Sequence, residues 1–161
     1  MRIHAVIWRT TAVAWACLIF YLSTGTFGGT FTEALLRLIL QSLHLTVTPH
    51  VFQTVHFLFR KLAHLTEYAI FAMLVYGSGR EADPFRWLPE RALWSLIIVG
   101  IYSATDEFHQ SFVPGRGPSV VDSAIDTTGA ALGMLLFYFR AMRLQIASSR
   151  AAASRESALE K

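Results

Sequence analysis

Between Arg9 and Glu33 the chain runs for 23 residues without a charge, through AVAWACLIFYLS. A helix needs about 20 mainly apolar residues to cross the hydrocarbon core of a bilayer, so this stretch suffices. The basic start, Arg2 and Arg9, also fits a cleaved signal peptide. However, the following STGTFGGTF has no clear A-x-A site, and Trp15 in AWAC stands where a lipoprotein signal carries a small residue. We read residues 7–23 as a retained membrane helix. Composition points the same way: 53% of the chain is hydrophobic and 16% charged, against about 25% charged in an ordinary soluble domain. Its 161 residues allow one compact unit, not a membrane bundle plus a second folded domain. The single Cys17 excludes an intramolecular disulfide framework and a multi-cysteine zinc site. The net charge of +3 is read as membrane orientation rather than nucleic-acid binding.

The other uncharged runs, 68–79, 92–105 and 127–139, are too short to span unless flanking ionisable residues are included. Those residues are Lys61, His64 and Glu67; Asp106, Glu107 and His109; and Asp122 and Asp126. The resulting spans are 61–78, 91–110 and 119–139. Residues 31–45, with Glu33 and Arg37 as an i,i+4 pair, read as an interfacial helix on the outer leaflet, and Pro49 as a break before a short lead-in. The expected fold is all-α: a polytopic membrane bundle of four transmembrane helices plus an interfacial amphipathic helix. Four spans put both termini on one side. Ten of the 14 Lys and Arg residues fall there, and Arg37, Arg60, Lys61 and Arg116 on the other. The positive-inside rule then makes both termini cytoplasmic and turns the charged end of each short span outward.

At 100° per residue, Lys61, His64, Glu67 and Tyr68 share one arc of the second span. Ser103, Asp106, Glu107 and Gln110 share an arc of the third, and Asp122, Asp126, Gly129 and Gly133 a face of the fourth. Gly129-x-x-x-Gly133 is a close-packing pattern for membrane helices. In the linker, Pro114-Gly115 favours a tight turn. Ser119 with Asp122 forms a capping-box pattern, and Arg116 lies between the acids of two spans. Ionisable groups inside spans cost about 2.5–3.5 kcal/mol each at the helix centre. They therefore mark either a functional site or a structural network in which Arg60, Lys61 and Arg116 pair with Asp106, Glu107 or Asp122. His109 reads as interfacial.

KLAHLTEYAIFAMLVYG followed by DEFHQSFVPGRGPSVVDSAIDTTGAALG resembles the VanZ-like family. Lys61, His64 and Tyr68 match its K-x-x-H-x-x-x-Y pattern. Asp106, Glu107, Gln110, Phe112, Pro114 and Arg116 match D-E-x-x-Q-x-F-x-P-x-R. Asp122 and Gly129 match a following D-x-x-x-N-x-x-G, in which Asp126 replaces the usual Asn. The resemblance implies a small bacterial multi-pass inner-membrane protein, with residues 1–145 as the VanZ-like transmembrane domain and 146–161 as a cytoplasmic polar tail. The family's named member is associated with reduced susceptibility to the glycopeptide teicoplanin.

The residues leave three functions open. In the first, an outward-facing site of Lys61, His64, Tyr68, Asp106, Glu107, Gln110, Arg116, Asp122 and Asp126 recognises or modifies an envelope component. Its partner would be a membrane lipid or a lipid-linked cell-wall component, with Lys61 and Arg116 holding anionic oxygens. In the second, the protein is a membrane-embedded hydrolase or transferase, with His64 as general base and Asp106 or Glu107 as acid. The third is a small proton-coupled transporter. No ligand-spaced metal motif such as HExxH appears, so no metal or other cofactor is assigned.

Overall fold

The computed structural model describes residues 2–24, 29–79, 87–113 and 119–159. Among these residues the chain is all-α, with five helices: α1 (Arg2–Leu22), α2 (Gly29–Ser42), α3 (Pro49–Ser78), α4 (Pro89–Gln110) and α5 (Val120–Leu159). Helix starts follow local chemistry. Pro49 and Pro89 open α3 and α4, where a missing backbone N–H costs nothing. Thr48 caps α3 by accepting from Val51 N at 3.4 Å. Pro49 thus begins the helix that the sequence reading started at residue 61, and the expected lead-in is its first three turns. α5 likewise runs past residue 139 and carries the polar tail as helix to Leu159.

Side-chain contacts set the helix directions. The Trp8 ring packs on Gly77, and Trp15 Nε1 donates to the Glu67 carbonyl at 3.0 Å, so α1 and α3 are antiparallel. Tyr102 Oη donates to the Ala16 carbonyl at 2.6 Å and Ser23 Oγ to Asp106 Oδ2 at 2.7 Å, which makes α1 and α4 parallel. α3 and α5 also run parallel: Lys61 faces Asp122, His64 faces Asp126, and Tyr76 meets Phe137. Along this seam Gly129 rides on the Leu65 backbone and Gly133 on the Ala69 backbone, the close approach expected of the Gly-x-x-x-Gly face. α2 packs on the start of α3, through Thr32 against His56 and the Arg37 guanidinium over the Phe52 ring.

Ile19, Tyr68, Phe71, Tyr76, Val99 and Met134 form the buried centre. Large apolar side chains also cover the outside, among them Ile7, Val13 and Phe20 on α1 and Leu135, Leu136 and Phe139 on α5. Among the described residues, two helices are long and apolar enough to cross a membrane, through Ala5–Leu22 and Val120–Ala151. α3 and α4 do not meet that measure among the described residues, and they carry the ionisable groups.

Candidate functional site

Parallel packing of α3 on α5 brings two polar pairs into register. Lys61 and His64 are three residues apart and Asp122 and Asp126 four, so each pair of side chains lies on one face of its helix. Lys61 Nζ pairs with Asp122 Oδ1, and His64 Nδ1 lies 3.2 Å from Asp126 Oδ1. Asp126 is completely buried, and its second oxygen accepts from Ser103 Oγ at 2.9 Å. With Nδ1 engaged by Asp126, His64 keeps Nε2 for other chemistry.

A second group forms where α4 meets the end of α1. Asp106 Oδ2 accepts from Ser23 Oγ at 2.7 Å and from Gln110 Nε2 at 2.8 Å. All three residues are buried, and Asp106 Oδ1 has no hydrogen-bond partner among the described residues. The neighbouring Glu107, also buried, accepts from Ser119 N at 2.8 Å through Oε2, while its Oε1 is without a partner there. Orphaned buried polar atoms are rare enough to require an explanation.

These contacts revise the capping-box reading. Ser119 Oγ does accept from Asp122 N, at 3.2 Å. The reciprocal bond to Ser119 N comes from Glu107 of α4, because Asp122 is turned to Lys61. The start of α5 is thereby tied to both α3 and α4.

Of the residues singled out in the sequence, Lys61, His64, Asp122 and Asp126 meet on the α3–α5 seam, and Asp106 and Gln110 meet on α4. Glu107 joins the start of α5. Tyr68 lies fully buried one turn below His64, with its ring centroid 6.5 Å from that of Tyr102. Arg116 and the Pro114-Gly115 turn lie outside the described residues. His109 packs on Phe20 at 4.4 Å between ring centroids, with Nδ1 buried, rather than simply facing the boundary. Sequence reasoning missed Ser23, which is 83 residues from Asp106. A lone serine at the end of an apolar run gives no periodic signal. Among the described residues no group of three or more His, Cys, Asp or Glu side chains could hold a metal ion.

A cavity of about 100 Å³ opens beside His64, between α1, α2 and α3. Ser23, Thr32, Arg60, His64 and Glu67 supply its polar wall, and Leu22, Phe31 and Ala63 its apolar one.

A family model described as VanZ/LLP1 matches residues 9–142, most of the chain. The chain belongs to the VanZ/LLP1 family. No curated protein and no solved structure matches it. The span shared with the VanZ/LLP1 family contains every polar side chain of the cluster, Ser23 and Ser103 included. In this VanZ/LLP1 member Asp126, which the sequence pattern marks as a departure from Asn, takes one oxygen to His64 and the other to Ser103. The single oxygen of an amide could accept one of these contacts, and its NH2 could donate to the other partner.

Proposed function

We propose that this VanZ/LLP1 protein is a multi-pass inner-membrane protein whose outward-facing polar site recognises or modifies an envelope component. The partner is a membrane lipid or a lipid-linked cell-wall component. The observation that carries this reading is the pair of buried carboxylates, Asp106 and Glu107, each with one oxygen lacking a partner among the described residues, while Ser23, which donates to Asp106, also lines the polar cavity beside His64. Burying ionisable groups among membrane helices is expensive, and a network that served packing alone would be expected to satisfy them.

The helix directions support four crossings: α1 and α4 run one way, α3 and α5 the other. That arrangement leaves both termini on the side holding ten of the 14 Lys and Arg residues, the cytoplasmic side by the positive-inside rule. Reporter fusions at Arg80 and Lys161 are expected to behave as cytoplasmic and one at Arg116 as external. A cytoplasmic Arg116 fusion would reverse the site.

A second reading draws on one observation. Asp126 orients His64 through Nδ1, the arrangement that prepares the other ring nitrogen as a general base. Turnover of a lipid-linked substrate would select a hydrolase or transferase; saturable binding without turnover would select recognition.

Glu107→Gln tests the site directly. The amide oxygen can still accept from Ser119 N, so the fold is expected to survive while the charge is lost. Thermal stability in detergent should stay within about 1 kcal/mol of wild type, while lipid binding, turnover or glycopeptide tolerance falls. Stability and function falling strictly together across Lys61, His64, Asp106, Glu107 and Asp122 variants would reduce the cluster to a structural network.

A further inference from the structure

We infer that the cavity between α1, α2 and α3 is a phosphate-binding chamber in which Arg60, rather than Lys61, holds the anion. This rests on the reading above and names the class of its ligand. Two cations stand side by side at this level of α3, in different states. Lys61 is neutralised by Asp122. Arg60, partly buried on the cavity wall, has no acidic partner within 4.0 Å among the described residues. A partly buried guanidinium without a carboxylate is a planar fork of donors open to an oxyanion, and phosphate presents several oxygens to such a fork.

The other walls fit. Thr32 Oγ1 lies 2.8 Å from His56 Nε2 and borders the chamber as a hydroxyl. His64, held at Nδ1 by Asp126, has Nε2 left for the chamber, where as an imidazolium it is a further donor. Glu67 also borders the chamber, seven residues beyond Arg60 or about 10 Å along the helix axis. Leu22 and Phe31 add an apolar wall, Phe31 being 47% exposed. A phosphate attached to an acyl chain thus finds donors inside the chamber and an apolar surface beside it. The chamber is suited to the phosphate of a lipid headgroup or to a free phosphate ion, which share this chemistry.

The test uses full-length protein purified in detergent and stripped of lipid, titrated with phosphatidylglycerol or with diacylglycerol of the same acyl chains. Bound lipid is counted by native mass spectrometry. Wild type is expected to prefer the phosphate-bearing lipid by about tenfold or more, the scale of a charge-assisted hydrogen bond. Arg60→Gln should abolish that preference and Arg60→Lys restore part of it. Arg37→Gln, which removes an exposed cation already paired with Glu33, should leave the preference intact. Displacement of phosphatidylglycerol by excess inorganic phosphate assigns the seat to the ion itself; persistence assigns it to the lipid headgroup. Both outcomes support phosphate recognition. A wild type without preference, or a preference that survives in folded Arg60→Gln protein, would overturn it. The two readings fail separately: if Glu107→Gln remains folded but inactive while phosphate preference is absent, only the phosphate assignment is lost and the wider reading stands.

Discussion

Gly133→Leu is expected to destabilise the bundle by at least about 1–3 kcal/mol, seen as a lower melting temperature in detergent and a reduced yield of folded protein. A Cβ at Gly133 would fall on the Ala69 carbonyl oxygen and lie 2.9 Å from Ala69 Cα. One turn earlier, a Cβ at Gly129 would strike the Leu65 carbonyl and lie 2.9 Å from Leu65 Cα. The opposing atoms are helix backbone and cannot rotate away, so α3 and α5 must separate. That separation also draws Asp126 from His64 and Asp122 from Lys61, coupling the packing of the seam to the polar cluster above it. Gly100 provides the control, since a Cβ there meets nothing within 4 Å. Gly100→Ala should be neutral or slightly stabilising through helix propensity. Equal melting temperatures for Gly133→Leu and Gly100→Ala would show that the seam is not packed as described.

Asp126→Ala is expected to cost on the order of 3 kcal/mol, because the buried Ser103 and the half-buried His64 each lose a partner at about 1–3 kcal/mol. Ser103 Oγ would lose its 2.9 Å bond and His64 its partner at Nδ1. Asp126→Asn should be far milder, within about 1 kcal/mol of wild type, since the amide retains an oxygen acceptor in nearly the same shape. Thermal melting of the two variants side by side separates hydrogen bonding from charge. If Asn proves as damaging as Ala, the site requires both carboxylate oxygens or their charge. If both are harmless, the pair does not bear on stability at all.

Periodicity made part of the site legible. The arcs at 100° per residue assigned Lys61, His64, Glu67 and Tyr68 to one face of α3, and Asp122, Asp126, Gly129 and Gly133 to one face of α5. Contacts along the α3–α5 seam agree for Lys61, His64 and the four α5 residues, while Glu67 borders the cavity toward α1 and α2. The same arithmetic extended to Ser103, Asp106, Glu107 and Gln110 on α4, all of which are buried. It could not choose partners. Lys61 had three candidate acids and pairs with Asp122; Glu107 caps the start of α5 and leaves Asp122 free for that pairing. Partner choice depends on the axial register between helices distant in sequence, and one helix's periodicity carries no information about another's height.

The sequence by itself determined that the chain is helical, that α1 is apolar enough to cross a membrane, and which face of each of α3, α4 and α5 is polar. These properties arise within a few turns of one segment, from side-chain volume, charge and a fixed rise and rotation per residue. Only the tertiary structure decided that Ser23 closes the Asp106 group, that Arg60 lacks an acidic partner among the described residues while Lys61 has one, and that a cavity opens beside His64. Each of these depends on how far one helix slides and turns against another. Along the α3–α5 seam that register is set by two glycines whose missing side chains let the backbones touch, so the placement of the charges follows from contacts that carry no charge.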